Sequence, residues 1–324
     1  MTISRRTFLQ KTLLAGATLV LSPGIASLIS PRQLVAAPFD PFTFVMIGDS
    51  HLMGNKNPRL KIRLEAAIRE INALDPQPDF VIYMGDAVHD GTPGQFQYFA
   101  ETISQIKPKI YFVPGEHDWY LDMGETYRSS FIKGDVPYSF NHKGHHIVVL
   151  NGILLNDFWT SRKLTPEQRM EIAGTLNNPR QGPFRLGQEQ MAWLEKDLSQ
   201  IDRATPLLVF SHTPLYHYYR PWNFWVDDAA EAQGLFKSFE AVALFHGHVH
   251  HIVQNQIEQL RFYSNLSTAW PYPYPETGVP QGSPKMPRPS PANFYDGLGW
   301  SRNEAGKGNV VHRDILWTLT PPSF

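Results

Sequence analysis

The chain of 324 residues contains no cysteine. That excludes disulfides, thiolate zinc sites and iron–sulfur clusters. Any bound metal must then be held by oxygen and imidazole nitrogen, which suits Mn, Fe, Zn or Mg better than a soft metal. An excess of one charge is also missing. Lysine and arginine total 29 against 30 acidic residues, a net charge of −1, so bulk electrostatics give no case for a nucleic-acid surface. No internal repeat is evident. The mild apolar stretch at 13–21 is interrupted by Pro23 and Gly24, leaving it too short for an ordinary membrane span. What is there is globular: 42% hydrophobic and 18% charged residues, on a length that allows one or two domains and a large core.

The distinctive content is a series of short Asp/His motifs, each after an apolar run. They are Gly48-Asp49-Ser50-His51, Gly85-Asp86, Gly115-Glu116-His117-Asp118, Ser211-His212 and Gly247-His248-Val249-His250. The apolar runs at 44–47, 80–84, 110–113, 207–210 and 242–245 read as strands separated by helical patterns. Open α/β sheets gather ligands at the carboxyl ends of their strands. Five strand ends would therefore deliver carboxylates and imidazoles to one rim, as a two-metal site requires. The spacing within Asp49/His51 and His248/His250 sends both members of each pair to one side of a strand or extended turn.

Singly, the motifs say little. A lone Asp-x-His is usually an ordinary loop, Gly85-Asp86 is a turn signal, and a histidine such as His212 is more often a satisfied core residue than a ligand. Gly-His-x-His after a buried strand is more specific, because two imidazoles at a strand end are rarely needed for packing. In this order the set resembles the calcineurin-like metallophosphoesterase family, whose pattern runs D-x-H, G-D, G-N-H-[DE], a lone His, then G-H-x-H. The resemblance covers about residues 42–265, and one position departs from it: Glu116 stands where the family has Asn.

The resemblance implies the family's fold, a four-layer αββα sandwich of two mixed β-sheets flanked by helices. It implies two divalent metal ions, with Asp49, His51 and His250 on the first, Glu116, His212 and His248 on the second, and Asp86 bridging. It makes His117 the proton donor to the leaving oxygen, with Asp118 supporting it. Metals so ringed acidify a bound water and clamp phosphoryl oxygens, so the expected activity is hydrolysis of a phosphomonoester or phosphodiester by a metal-bound hydroxide. The alternatives are a non-catalytic metal-binding or scaffold protein on the same fold, which a retained His117 argues against, and a hydrolase of a specialised nucleotide or anhydride.

The N-terminus carries an expectation about location. Ser4-Arg5-Arg6-Thr7-Phe8-Leu9 resembles a twin-arginine (Tat) signal, with cleavage expected after Ala36. That would make the protein periplasmic or extracellular, with the Tat machinery as the precursor's partner and a small-molecule phosphoester as substrate. A single domain at 40–324 would follow. A helix is expected between the first two motifs, with Leu60, Leu64, Ala67, Ile68 and Ile71 on one face. A weaker helix closes at Ile103 and Ile106, and another covers 187–198. A strand is expected at 146–150, opening a second sheet, then a hairpin at 252–257 and 260–264, and late β structure at 310–319. Two long irregular stretches, 160–183 and a Pro/aromatic loop at about 270–291, read as lids, binding loops or straps. His89 is either a neighbour of the ligands or substrate-facing, and His217 lies on an aromatic loop rimming the pocket. His251 is expected to point away, and His142, His145 and His146 to be exposed on a turn.

Overall fold

Apolar runs buried on both faces are what parallel strands between two helical layers look like, and a computed structural model shows them in that setting. It describes residues 39–154, 164–176, 184–318 and 322; the stretch expected to be a Tat signal, with its expected cleavage point, lies outside them. The strands are β1 (Phe42–Ile47), β2 (Phe80–Tyr83), β3 (Lys109–Phe112), β4 (Tyr138–His142), β5 (His145–Val149), β6 (Leu207–Phe210), β7 (Val242–His246), β8 (Gln254–Ile257), β9 (Leu260–Ser264), β10 (Gly299–Gly306) and β11 (Asn309–Leu316). One sheet runs β11-β10-β1-β2-β3, the other β4-β5-β6-β7-β9-β8. Both are mixed: β1, β2 and β3 are mutually parallel, as are β5, β6, β7 and β9, while β10, β11, β4 and β8 pair antiparallel.

The alternation of side chains sorts each strand between two cores. Phe44 and Met46 of β1, Phe80 and Ile82 of β2, Leu208 and Phe210 of β6, and Ala243 and Phe245 of β7 meet in one cluster between the sheets. The intervening residues face outward. Val45, Ile47, Val81 and Tyr83 pack with Leu60, Leu64, Ile68 and Ile71 of helix α1 (Pro58–Asn72) and with Phe96, Phe99 and Ile103 of α2 (Pro93–Ile103). Val209 and Leu244 pack with Leu194 and Leu198 of a helix at Gln188–Leu198 and with Phe236 of one at Ala229–Phe236. Each such aliphatic or aromatic side chain contributes about 1.5–3 kcal/mol when fully buried. These three cores hold the strand ends in place.

The structure differs from the reading of the sequence at several points. Strand β10 lies beside the central β1, yet Gly299–Gly306 has no apolar alternation because Ser301 and Asn303 are among its buried residues. Strand β4 was also absent from the expectation. His145 and His146, expected on an exposed turn, are buried; they open β5, and the His146 ring nitrogens face Asn141 Oδ1 and Asp197 Oδ2, each at 2.7 Å. The stretch expected to be irregular at 160–183 contains a helix at Pro166–Ala173. Ile106 lies beyond the end of α2, although it is still buried. Among the described residues no helix is long and apolar enough to cross a membrane.

Candidate metal centre

The parallel strands of each sheet end on one side, and the residues just past those ends turn sharply. Asp49, His51, Asp86, His248 and His250 all have left-handed backbone, with φ between 43° and 65°. Each such non-glycine residue costs of order 1–3 kcal/mol, and clusters of them mark functional sites. The members of each pair Asp49/His51 and His248/His250 converge as expected, but through tight left-handed turns and not along a strand or extended turn. Crowding dictates glycine beside them. A Cβ on Gly115 would collide with Asp86 Oδ1, and one on Gly85 would lie 2.6 Å from His212 Nδ1.

These turns bring Asp49, His51, Asp86, Glu116, His212, His248 and His250 together, all buried. Asp49, His51 and His250 offer atoms within 4.8 Å of one another, as do Asp86, Glu116, His212 and His248. His212 Nε2 sits 3.3 Å from Asp86 Oδ2 and 3.1 Å from Glu116 Oε2. His248 Nδ1 lies 2.9 Å from Glu116 Oε1, His250 Nε2 3.3 Å from Asp49 Oδ1, and His51 Nε2 3.5 Å from Asp86 Oδ2. Glu116 therefore turns into the cluster and not away from it.

Backbone carbonyls fix the tautomers. The Nδ1–H of His212 donates to Met84 O at 2.6 Å, and that of His250 donates to Trp270 O at 2.8 Å. A carbonyl only accepts, so each neutral ring carries its lone pair on Nε2, aimed into the cluster. Backbone amides hold the carboxylates: His248 N donates to Asp49 Oδ1 and His117 N to Asp86 Oδ1, both at 3.0 Å.

The residues fit divalent cations. Asp49 Oδ2, Glu116 Oε2, His212 Nε2 and His248 Nε2 are buried with no hydrogen-bond partner, although His212 Nε2 and Glu116 Oε2 lie close together. Burying carboxylates without compensating charge is expensive. The protein compensates partly with its own imidazoles. Burial alone would raise the Glu116 pKa, but His248 and His212 hold it well below the usual carboxylate range. Burial would lower that of His212, yet Asp86 and Glu116 hold it well above an ordinary imidazole. For His51, burial and the imidazoles of His117, His250 and His89 all act to lower the pKa, leaving it a neutral donor. Oxygen and imidazole donors of this kind suit Mn, Fe, Zn or Mg.

His117 stands beside the cluster, its ring 4.7 Å from that of His51 and stacked at 4.8 Å on His89. Its Nδ1 donates to His89 O at 2.6 Å, which leaves Nε2 for other partners. Asp118 was expected to support this ring and does not face it. Its carboxylate accepts from the amides of Ala87, Val88 and Gly115 at 2.9–3.2 Å, which fixes the turn after Asp86. A cavity of about 50 Å³ is lined by His51, Asp86, Glu116, His117, His248 and His250, together with His89, Trp222, Asn223, Trp270 and Tyr272. Of the last five, only His89 was expected here, as a neighbour of the ligands or facing the substrate. His89 alone carried a signal, three residues after Asp86; burial and His117 depress its pKa to about 4. His217 is not among the lining residues, whereas Trp222 and Asn223 of the same loop are. His251 points away as expected, its Nε2 accepting from the Tyr218 hydroxyl at 2.9 Å.

Residues 42–251 match the family model described as calcineurin-like phosphoesterase. The chain belongs to that family and is a metallophosphoesterase. It is 26% identical over 216 residues to a probable glycerophosphodiester phosphodiesterase (GpdQ) of Arcobacter nitrofigilis, covering 64% of this chain and 71% of that one. It is 20% identical over 244 residues to a 3′,5′-cyclic-nucleotide phosphodiesterase of Nostoc sp., covering 72% and 80%. Its fold is similar to that of a dimetal phosphatase from Danio rerio, with a TM-score of 0.60 at 14% identity, covering 85% of this chain and 96% of that one.

Proposed function

We propose that the protein is a binuclear phosphodiesterase working outside the cytoplasm. Asp49, His51 and His250 would hold one divalent ion and Glu116, His212 and His248 a second, with Asp86 shared. The observation that carries this is the set of buried, unpartnered carboxylate oxygens and imidazole nitrogens converging from both sheets. Ions bound there would supply an acidified water at neutral pH and positive charge against the phosphoryl oxygens. The chain's own residues do the rest. The carbonyls of Met84 and Trp270 lock the ligand imidazoles before substrate arrives, so orientation costs nothing at the moment of reaction. His117, with Nδ1 committed to His89 O, presents Nε2 for protonating the leaving oxygen.

The diester is preferred over the monoester because the two relatives named above carry phosphodiesterase names. The test is release of p-nitrophenol from mono- and bis-p-nitrophenyl phosphate with added Mn. Turnover of the diester at the higher kcat/KM is expected. Release from neither, with two metals bound, would replace the enzyme by a metal-binding scaffold.

Export rests on Ser4-Arg5-Arg6-Thr7-Phe8-Leu9, which the Tat machinery would read as a guanidinium pair and not as charge alone. Tat export carries folded proteins, which would allow metal loading before the crossing. Changing Arg5 and Arg6 together to Lys should leave the precursor inside the cell. Normal levels of mature-size protein outside would sink this assignment.

A further inference from the structure

The cavity at the cluster is small, about 50 Å³, and it gives little enclosed space for the organic groups of a diester. Two of its walls, Trp270 and Tyr272, belong to the Pro/aromatic segment, and both also line a second cavity of about 640 Å³. That cavity is of small-ligand size. Its other walls are Tyr274, Met286 and the proline rings of Pro271, Pro273, Pro287 and Pro289, with Lys285 and Arg288 among its few charged groups.

The segment is built in place. The Trp270 ring stacks on His51 at 4.5 Å and the Tyr272 ring on His250 at 4.4 Å. Arg63 of α1 donates to the carbonyls of Ala269 and Phe294 at the two ends of the segment. The Tyr274 hydroxyl donates to Ile252 O at 2.7 Å and accepts from Met286 N at 3.0 Å. Proline rings and rigid aromatics lose little conformational freedom when a ligand covers them. A preformed apolar cavity sharing a wall with the phosphoryl cavity suits one half of a substrate better than a surface strap.

We propose that this cavity is the subsite for the substrate's organic group, so that the enzyme takes phosphoric diesters carrying one large apolar alcohol. The inference rests on the phosphodiesterase reading above. The apolar group lies against Trp270, Tyr272 and the proline rings while the phosphoryl group sits at the cluster.

The test uses the metal-loaded full chain and p-nitrophenyl phosphodiesters whose second alcohol is methanol, phenol or octanol. From methyl to octyl, kcat/KM should rise about 10- to 100-fold, a fraction of what burying seven methylenes allows. The phenyl arm separates ring stacking from chain burial: a phenyl ester above octyl assigns the site to aryl alcohols. Calorimetry with methylphosphonate and octylphosphonate reads the same cavity without turnover, and octyl should bind at least about tenfold tighter. Ser290→Trp and Arg288→Trp, each placing a ring in the cavity from an exposed position, should each pull the octyl-to-methyl ratio toward one. A change in fold alone would lower all esters together. If the methyl ester turns over and octyl is no better in rate or binding, the subsite is wrong. If no ester turns over but octylphosphonate still binds tighter, the subsite stands and the phosphodiesterase reading falls.

Discussion

Two regions meet at Trp270, and they are built by opposite rules. On one side the rim takes its acids and imidazoles from residues just past strand ends. Four of them are held by backbone groups: Met84 O for His212, Trp270 O for His250, His248 N for Asp49 and His117 N for Asp86. On the other side the segment from Trp270 to Pro291 contains no strand or helix. It is held by side chains, Arg63 of α1 just beyond its two ends and its own Tyr274 on Ile252 O. Backbone groups at the strand ends place charge for chemistry, and side-chain anchoring shapes an apolar wall.

The most damaging change should fall on the rim. Asp86 Oδ2 lies near both His51 and His212, so Asp86→Ala removes the anion that two cations would share. Activity should fall to background and elemental analysis should show fewer than two metals per chain. Two retained metals would contradict the shared position.

His117 should separate rate from metal content. His117→Ala is expected to lower kcat by about 10²–10⁴-fold with metal content unchanged. The loss should shrink for esters with good leaving groups. Loss of one metal instead would make it a ligand.

Glu116 tests the charge balance of the rim. A carboxylate in place of an amide carbonyl lowers the positive charge of the loaded centre by one. Glu116→Asn should weaken the second metal by about 10- to 100-fold, no less than losing an outer partner costs. The pH optimum should fall, because a less compensated centre makes its water more acidic. Unchanged affinity and optimum in both Glu116→Asn and Glu116→Gln would remove Glu116 from the ligands.

This division also explains what the sequence revealed. The rim was legible because Gly-Asp and Gly-His pairs announce themselves within four residues and follow buried strands. The left-handed turns that aim them were not, since nothing in Asp49-Ser50-His51 distinguishes strand alternation from φ near +45°. Asp118 was misplaced because adjacency to His117 said nothing of the three amides it serves. Strand β10 was hidden because its buried Ser301 and Asn303 break the apolar pattern. The wall role of Trp270 and Tyr272 depends on contacts with His51 and His250, 219 and 22 residues away along the chain. No local pattern encodes such contacts.

A change on the strap side should leave the rim assembled. Arg63→Ala removes two charge-assisted bonds, to Ala269 O and Phe294 O, each worth about 1.5–3 kcal/mol. Thermal unfolding should shift accordingly while two metals per chain are retained. Loss of metal with the strap would show that the two regions are one cooperative unit.

The smallest expected effect lies at the seam between the regions. His251 follows the rim's His250, its ring 4.4 Å from that of the strap's Tyr274. Its pKa is lowered to about 3, first by burial and then by the imidazoles of His250 and His246. Its Nε2 accepts the Tyr218 hydroxyl proton, a bond that only the neutral ring can make. The sign follows from linkage. Between about pH 6.5 and pH 3 the unfolded chain binds this proton and the folded chain does not, so stability falls as pH drops through that window. From pH 7 to pH 5 the loss from this one group is on the order of 2 kcal/mol. Denaturant unfolding of chelator-treated protein at the two pH values would measure it without acid release of metal. His251→Asn, which cannot titrate, should be less stable at pH 7 and lose less on acidification. If parent and variant lose stability in parallel between pH 7 and pH 5, the seam is not held by a neutral His251, and the rim and the strap must be joined by other contacts.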